Sequence, residues 1–377
     1  MRNAPFQIQL KAKSKGRKRL FEFRSARGVE DPETVRPEEV LMLQGVDVKN
    51  TSAVLCVDSR IGVTGCVLGD QARAGRVMMT ESEARASLIS ELNRRRNEIS
   101  SAEVMLSADL ETDCIRKFDV ATYVPKKSDP DDVIRQKIFE IAGNMRKDSK
   151  MYFSAKKEVA DEFRDFIEQF GDVSEKVKDD CKLLEVDKPA PPREKGFLQD
   201  KMIEHSIKGA KCRFKVLEGF FSGEAMNAVE MLARELEPDE GDRVLDLSSG
   251  FGGVGIFSAV LDDVIPTFVD RNAFMKDLVE ENCDRNDVEN FDVYTEDGAE
   301  NLETASFDSV AYRVDSSRDE EVIEQDLWEC RRILKSGGEL LVCHSRDFEA
   351  EKLMKKLYGE AQTRRREVDH QVSVSVK

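Results

Sequence analysis

The two halves of this 377-residue chain overlay on one another at an offset near 190 residues, and that self-similarity constrains the fold more than any other feature. "VLCVDSRIGVTG" at 54–65 matches "VLDLSSGFGGVG" at 244–255, so Leu55, Gly62 and Gly65 fall on Leu245, Gly252 and Gly255. Downstream, Asn93 and Asn97 fall on Asn282 and Asn286, Asp109 on Asp297, and Phe118-Asp119 on Phe307-Asp308. The offset drifts only between 188 and 190 over this series, which points to two copies of one fold.

Each copy reads as alternating strands and helices. In the second, "RVLDLS", "IPTFVD", "FDVYTED", "FDSVAYRV" and "GGELLVCHS" are strands; "GVGIFSAVL" opens a helix, and "AFMKDLVEENCDRN", "EEVIEQDLWECRRIL" and "EAEKLMKKLYG" are helices. "QVSVSV" at 371–376 alternates as an antiparallel edge strand does. The pattern predicts two tandem Rossmann-like α/β domains, each a doubly wound sheet with an antiparallel edge strand. The proline-rich "VDKPAPPREKG" at 186–196 resists regular structure. It places one domain at 1–185, a linker at 186–196 and the second domain at 197–377.

No run of eighteen apolar residues occurs and the first twenty residues are basic and polar, so a soluble cytoplasmic protein without a membrane association is expected. Eight scattered cysteines without a C-x-x-C pair read as buried thiols, and three histidines without ligand spacing predict no metal site. The net charge of −16, with 36% charged residues, implies a heavily solvated acidic surface. Basic clusters at 10–20, 93–97 and 364–367 permit an RNA partner, while a solvated surface accounts for each equally well.

Gly250, Gly252 and Gly255 form G-x-G-x-x-G between a strand and a helix, a spacing that several nucleotide-binding families share. Glycines let the backbone turn against a cofactor, and the helix N-terminus offers unpaired N–H groups. Asp270, ending the second strand, is placed to accept from ribose hydroxyls. Asp246, inside the first strand, suits a cationic methionine moiety and repels a pyrophosphate, and Asp297 at the third strand end suits an adenine amine. Three acids on successive strand ends favour S-adenosylmethionine over a nicotinamide dinucleotide. A turn-forming role for Asp246 and a strand-end cap for Asp297 stay open.

With these residues the chain resembles the class I S-adenosylmethionine-dependent methyltransferases, and among them the methyltransferase small domain family. It is most similar to two-domain small-subunit ribosomal RNA guanine-N2 methyltransferases, in which a degenerate N-terminal copy precedes a cofactor-binding copy. The duplication, the segment 215–258, "LKSGGELLV" at 334–342 and "YVPKK" at 123–127 carry the likeness. It implies an S-adenosylmethionine cofactor held by Asp246, Ser248, Gly250, Gly252, Asp270 and Asp297, with Phe221 and Ser222 over the cofactor or target base. A hydrophobic staple at the start of the following helix is the alternative for Phe221. It also implies RNA methylation in rRNA processing, with ribosomal RNA or the small ribosomal subunit as partner.

Two departures bear on that implication. In the first copy Cys56 stands for the first-strand acid and Arg60 for a loop glycine, leaving Glu81 as the acid at the second strand end; this copy reads as a scaffold or RNA-docking domain, with Lys126 and Lys127 as phosphate contacts or solvated lysines. In the second copy the family's Asn-Pro-Pro-Phe, which clamps the target amine and stacks on the base, is replaced by Arg313, Val314, Asp315 and Ser316. Tyr312 and Asp315 are then the expected substrate contacts. A catalytically silent protein that binds RNA or the ribosome is the competing expectation; a nicotinamide-dependent oxidoreductase is disfavoured by Asp246.

Overall fold

The computed structural model describes residues 6–14, 17–114, 117–191, 197–314 and 318–377. The chain divides into two units, Met1–Leu198 and Gln199–Lys377. Of the proline-rich stretch, Val186 and Asp187 complete a strand, and residues 192–196 lie outside the described residues.

In the N-terminal unit a hairpin of β1 (Phe6–Ser14) and β2 (Arg17–Ser25) precedes α1 (Pro37–Gly45). The sheet strands are β3 (Ala53–Val57), β4 (Arg76–Glu81), β5 (Ala102–Leu106), β6 (Phe118–Tyr123), β7 (Met145–Lys156), β8 (Asp172–Lys178) and β9 (Cys181–Asp187). Their helices are α2 (Val63–Gln71), α3 (Ala84–Arg96), α4 (Leu110–Asp113), α5 (Asp131–Gly143) and α6 (Lys157–Ile167). The seven strands lie in the order β5-β4-β3-β6-β7-β9-β8, parallel up to β7 and antiparallel beyond it.

The C-terminal unit repeats this plan. A hairpin of β10 (Asp200–Ile207) and β11 (Ala210–Leu217) precedes α7 (Gly223–Glu235). Next come β12 (Arg243–Leu247), α8 (Gly253–Asp262), β13 (Ile265–Asp270), α9 (Phe274–Arg285), β14 (Asp292–Thr295) and β15 (Phe307–Arg313). The unit closes with α10 (Glu320–Ile333), β16 (Leu334–Ser345), α11 (Ala350–Tyr358), β17 (Gln362–Arg366) and β18 (His370–Val376). The order β14-β13-β12-β15-β16-β18-β17 has the same connectivity as the first sheet.

Both faces of each sheet are covered, so the central strands are buried on both sides rather than alternating buried with exposed. In β3, Val54 and Cys56 join one core cluster while Ala53, Leu55 and Val57 join the other. All eight cysteines are buried. Among the described residues no helix is long and apolar enough to cross a membrane.

Two features differ from the sequence reading. The strand containing "QVSVSV" pairs with β16 on one side and β17 on the other, so the antiparallel edge is β17. Its exposed Arg364 and Arg366 discourage further strand pairing, which gives the basic cluster at 364–367 a structural use. The hairpins were unanticipated because the alternation of buried Phe21 and Phe23 with exposed Leu20, Glu22 and Arg24 is obscured by the density of basic residues.

The paired asparagines explain how each hairpin is attached. The Asn282 side chain accepts from the Lys215 N–H (2.7 Å) and donates to the Lys215 and Phe251 carbonyls (both 2.9 Å). Asn93 accepts from the Arg24 N–H (2.8 Å) and donates to the Arg24 and Ile61 carbonyls (2.8 and 2.9 Å). Asn286 and Asn97 grip Arg213 and Glu22 in the same two-sided way. All four amides thus extend a strand edge, and Asn93 and Asn282 also tie it to the loop after the first sheet strand. Asn282 is fully buried, and its removal leaves backbone groups unsatisfied at a cost of about 1–3 kcal/mol apiece, softened by rearrangement. Asn282→Ala is expected to lower the unfolding free energy of the C-terminal unit by about 2–3 kcal/mol. Urea unfolding followed through the single tryptophan, Trp328 on α10, measures this; an unchanged midpoint would contradict it.

Candidate active site

The loop after β12 is built from a run of left-handed residues. Ser248, Gly250 and Gly252 have φ of 61°, 54° and 84°, and Asp58, Arg60 and Gly62 repeat the pattern at 47°, 62° and 77°. An L side chain in that region is strained by roughly 1–2 kcal/mol, so the loop holds only because its backbone is tied down. The tie is Asp270. Its carboxylate accepts the Gly250 N–H and the Asn272 N–H, both at 2.9 Å, from the end of β13. Glu81 takes the same position in the first unit, accepting the Arg60 N–H at 3.1 Å.

In the C-terminal unit a cavity of about 300 Å³ opens over this loop, with Ser248, Gly250, Asp270, Phe220, Ser222 and Arg313 among its lining residues. Among the described residues a Cβ added at Gly250 would approach only Arg313 Nη2, at 3.3 Å, so they leave the space above the glycine open apart from that guanidinium. Ser222 also caps α7, accepting the Ala225 N–H at 3.2 Å, which fixes the chain entering the helix that walls the cavity.

The other sequence candidates are placed differently. Asp246 lies buried behind the loop and accepts the Gly255 N–H at 3.0 Å, holding the first turn of α8. Burial pushes its carboxyl up to about 7, against the lowering effects of that hydrogen bond and of Arg313. Asp297 is ion-paired with Arg318 at 2.8 Å, and Arg318 also holds Asp326 at 2.8 Å. Phe221 packs edge-on against Phe251, with centroids 5.8 Å apart, and it is the neighbouring Phe220 that reaches the cavity wall. Glycine at 252 serves the start of α8, where it is the left-handed N-cap.

Tyr312 is a correction to the sequence reading. It is fully buried in the core and its hydroxyl donates to Asp326 at 2.7 Å, so it cannot stack on a base. Strand alternation is the reason: on β15, Tyr312 faces the core, while its neighbour Arg313 faces the cavity. Asp315 lies outside the described residues. Arg313 donates from Nη2 to the Ser248 carbonyl at 3.4 Å, which places a group with donors only beside the loop. Residues not anticipated at the cavity include Asn272, Met275, Arg318, Cys343 and His370. Only Asn272 had a local signal, an Asx residue two positions ahead of α9, where it accepts the Phe274 N–H at 3.1 Å.

The corresponding space in the N-terminal unit is filled. Arg60, 2% exposed, donates to the carbonyls of Glu30 (2.9 Å), Asp31 (2.7 Å) and Thr34 (2.8 Å) and pairs with Glu39 at 2.9 Å. Beside it, Asp58 is paired with Lys137 and Lys126. Burial alone would raise the Asp58 carboxyl, but the two ammoniums outweigh it and hold it below the usual carboxylate range. Glu81 is pushed to about 7 by burial and by the Asp58 charge. Lys126 is therefore not a phosphate contact: it is buried, donating to Ser82 at 2.7 Å and paired with Glu83 at 3.2 Å. Lys127 is exposed and paired with Asp31 at 2.7 Å.

Residues 211–373 match the model of the methyltransferase small domain family. Among solved structures, the T. thermophilus 16S rRNA N2 G1207 methyltransferase RsmC, in complex with AdoMet and guanosine, is similar over 98% of this chain and 98% of its own, with 18% identity and a TM-score of 0.78. The TYW2 proteins of P. horikoshii, with MeSAdo, and M. jannaschii, with AdoMet, each match 47% of this chain. They match over 72% and 86% of their own chains, with 18% and 16% identity and TM-scores of 0.36 and 0.37. The fold is that of two tandem Rossmann-like methyltransferase domains.

Asp246 gives a pH signature. Its carboxyl binds a proton more tightly in the folded protein than at the ordinary value near 4, so its contribution favours folding at low pH. That contribution declines as pH rises from about 4 and is gone above about 7. In Asp246→Asn, the Trp328-monitored stability is expected to lose this decline relative to the parent, a difference on the order of a few kcal/mol across the window. Parallel pH profiles for the two proteins would contradict the assignment.

Proposed function

We propose that the C-terminal unit binds S-adenosylmethionine and that the protein is a methyltransferase acting on ribosomal RNA, with a guanine N2 amine as acceptor. The observation that carries this reading is the Asp270 carboxylate, fixed by two backbone N–H groups at the rim of an open glycine loop. Each of its oxygens keeps a lone pair for a ribose hydroxyl. Phe220 and Met275 supply apolar wall for an adenine.

The residues fit the two halves of the cofactor differently. Asp270 and the loop suit the adenosine half. Arg313 suits the carboxylate of the methionine half, and the buried Asp246 supplies the only first-strand carboxylate to balance the positive charges. When bound, S-adenosylmethionine supplies an electrophilic methyl group, and the chain's own task is to bring the acceptor nitrogen in line with it. An amine needs an acceptor for its second proton, which Arg313 cannot provide; Asp315 takes that role in this proposal. The N-terminal unit, Met1–Leu198, serves as a scaffold or RNA-docking domain ahead of the methyltransferase unit Gln199–Lys377.

Arg313 also favours a second reading, a silent protein that keeps the fold to bind RNA or the ribosome, because a donor-only side chain stands where the family places an amide acceptor. Calorimetric titration with S-adenosylmethionine, followed by transfer of labelled methyl to small-subunit RNA, separates the two. The first reading predicts saturable binding and transfer; binding without transfer supports the second. Asp270→Ala is expected to weaken cofactor binding by roughly 10- to 150-fold, the loss of a charge-assisted hydrogen bond of about 1.5–3 kcal/mol. Unchanged affinity in a folded variant would remove the ribose assignment.

A further inference from the structure

We propose that the β1–β2 hairpin and the C-terminal end of α3 together form an RNA phosphate-binding face on the N-terminal unit. The proposal rests on the RNA part of the function given above and locates where that RNA docks.

The sequence carries two basic clusters some seventy residues apart, one at 10–20 and one at 93–97. The fold joins them. Asn93 and Asn97 hydrogen-bond the backbone of Arg24 and Glu22 from both sides, so the outer edge of β2 is locked against the last turns of α3. Arg94, Arg95 and Arg96 occupy that last turn. Complementing the helix dipole accounts for basic residues there but not for those of the hairpin. Residues 6–25 hold seven lysines and arginines against one acid, Glu22. Lys11, Arg17, Lys18, Arg24 and Arg96 are exposed, and none of them forms an ion pair among the described residues.

The second copy provides an internal comparison. Its hairpin and α9 are held by the same asparagines, yet their charges are balanced. Lys211 and Arg213 pair with Glu204 (2.7 and 3.3 Å), Lys215 with Asp200 and Glu281 (3.0 and 2.9 Å), and Arg285 with Glu281. One scaffold thus carries a largely paired surface in one copy; in the other Arg19 pairs with Asp70, and Arg94 and Arg95 with Glu91, while Lys11, Arg17, Lys18, Arg24 and Arg96 keep no acidic partner among the described residues. In a chain of net charge −16, concentrating exposed cations without acidic partners fits a polyanion, and the spread of the charges along two adjoining elements fits a phosphate backbone.

The test uses the full chain and a fluorescently labelled RNA hairpin, with affinity measured over a series of salt concentrations. The quadruple variant Lys11→Glu, Lys18→Glu, Arg24→Glu, Arg96→Glu is compared with the parent and with Lys201→Glu, Lys211→Glu on the second hairpin. Each phosphate contact contributes about 0.7–0.9 to the slope of log affinity against log salt, so the quadruple variant is expected to flatten that slope by about 3 and lose roughly 100-fold or more in affinity. The control variant is expected to stay within about threefold of the parent. A parent that binds no RNA, a quadruple variant that binds like the parent, or equal losses in both variants would each overturn the proposal; binding of an acidic protein in place of RNA would do the same. S-adenosylmethionine titration of the same variants reads the folding and the cofactor separately. Absence of cofactor binding with the RNA dependence intact would remove the methyltransferase reading and leave this face standing.

Discussion

A carboxylate at the end of the second sheet strand, accepting a backbone N–H from the left-handed loop after the first, is the contact on which both units are organised. Asp270 performs it for Gly250 and Glu81 for Arg60. The loop's strained residues, among them the non-glycine Ser248, Asp58 and Arg60, keep their conformation because this bond and the following helix hold the backbone at both ends. The asparagines of the next helix then tie the hairpin to the same loop. Loop, helix and hairpin therefore form one hydrogen-bonded assembly in each copy.

What differs between the copies is what that assembly encloses. With glycine at 250 the loop faces a cavity of about 300 Å³. With arginine at 60 the corresponding space is filled by a guanidinium whose donors are consumed by three carbonyls and Glu39. Removing such a buried cation would strand Glu39, so reopening the space costs stability. A related division appears on the surface, where Lys211, Arg213 and Lys215 of the second hairpin are ion-paired and Lys11, Arg17, Lys18 and Arg24 of the first are not, among the described residues.

Much of this was legible in the sequence because it depends on periodicity and on small residues at fixed spacing. The duplication, the doubly wound α/β class implied by alternating elements and the glycine loop between strand and helix follow from that kind of signal. The failures share a cause: they depend on which way a side chain points. Tyr312 and Arg313 are neighbours on one strand and face opposite sides, and the motif comparison alone does not say which side holds the site. Phe220 and Phe221 pose the same ambiguity at a turn. Lys126 has a phosphate contact among its expected roles, but its ammonium is held by Ser82 and Glu83 from another element, and Asp297 meets Arg318, a partner that spacing does not reveal. The joining of two basic clusters by Asn93 and Asn97 was hidden for a related reason, since the asparagines were visible as a repeat while their partners were not.

The central claim is that one copy keeps an open glycine loop, proposed to hold the cofactor, and the other has closed its own. Equilibrium dialysis of the intact chain against labelled S-adenosylmethionine tests this most directly, because it counts sites. The account predicts saturation at one equivalent per chain. Two equivalents would contradict the closure of the N-terminal loop by Arg60, and none, in a folded protein, would contradict the open loop at Gly250.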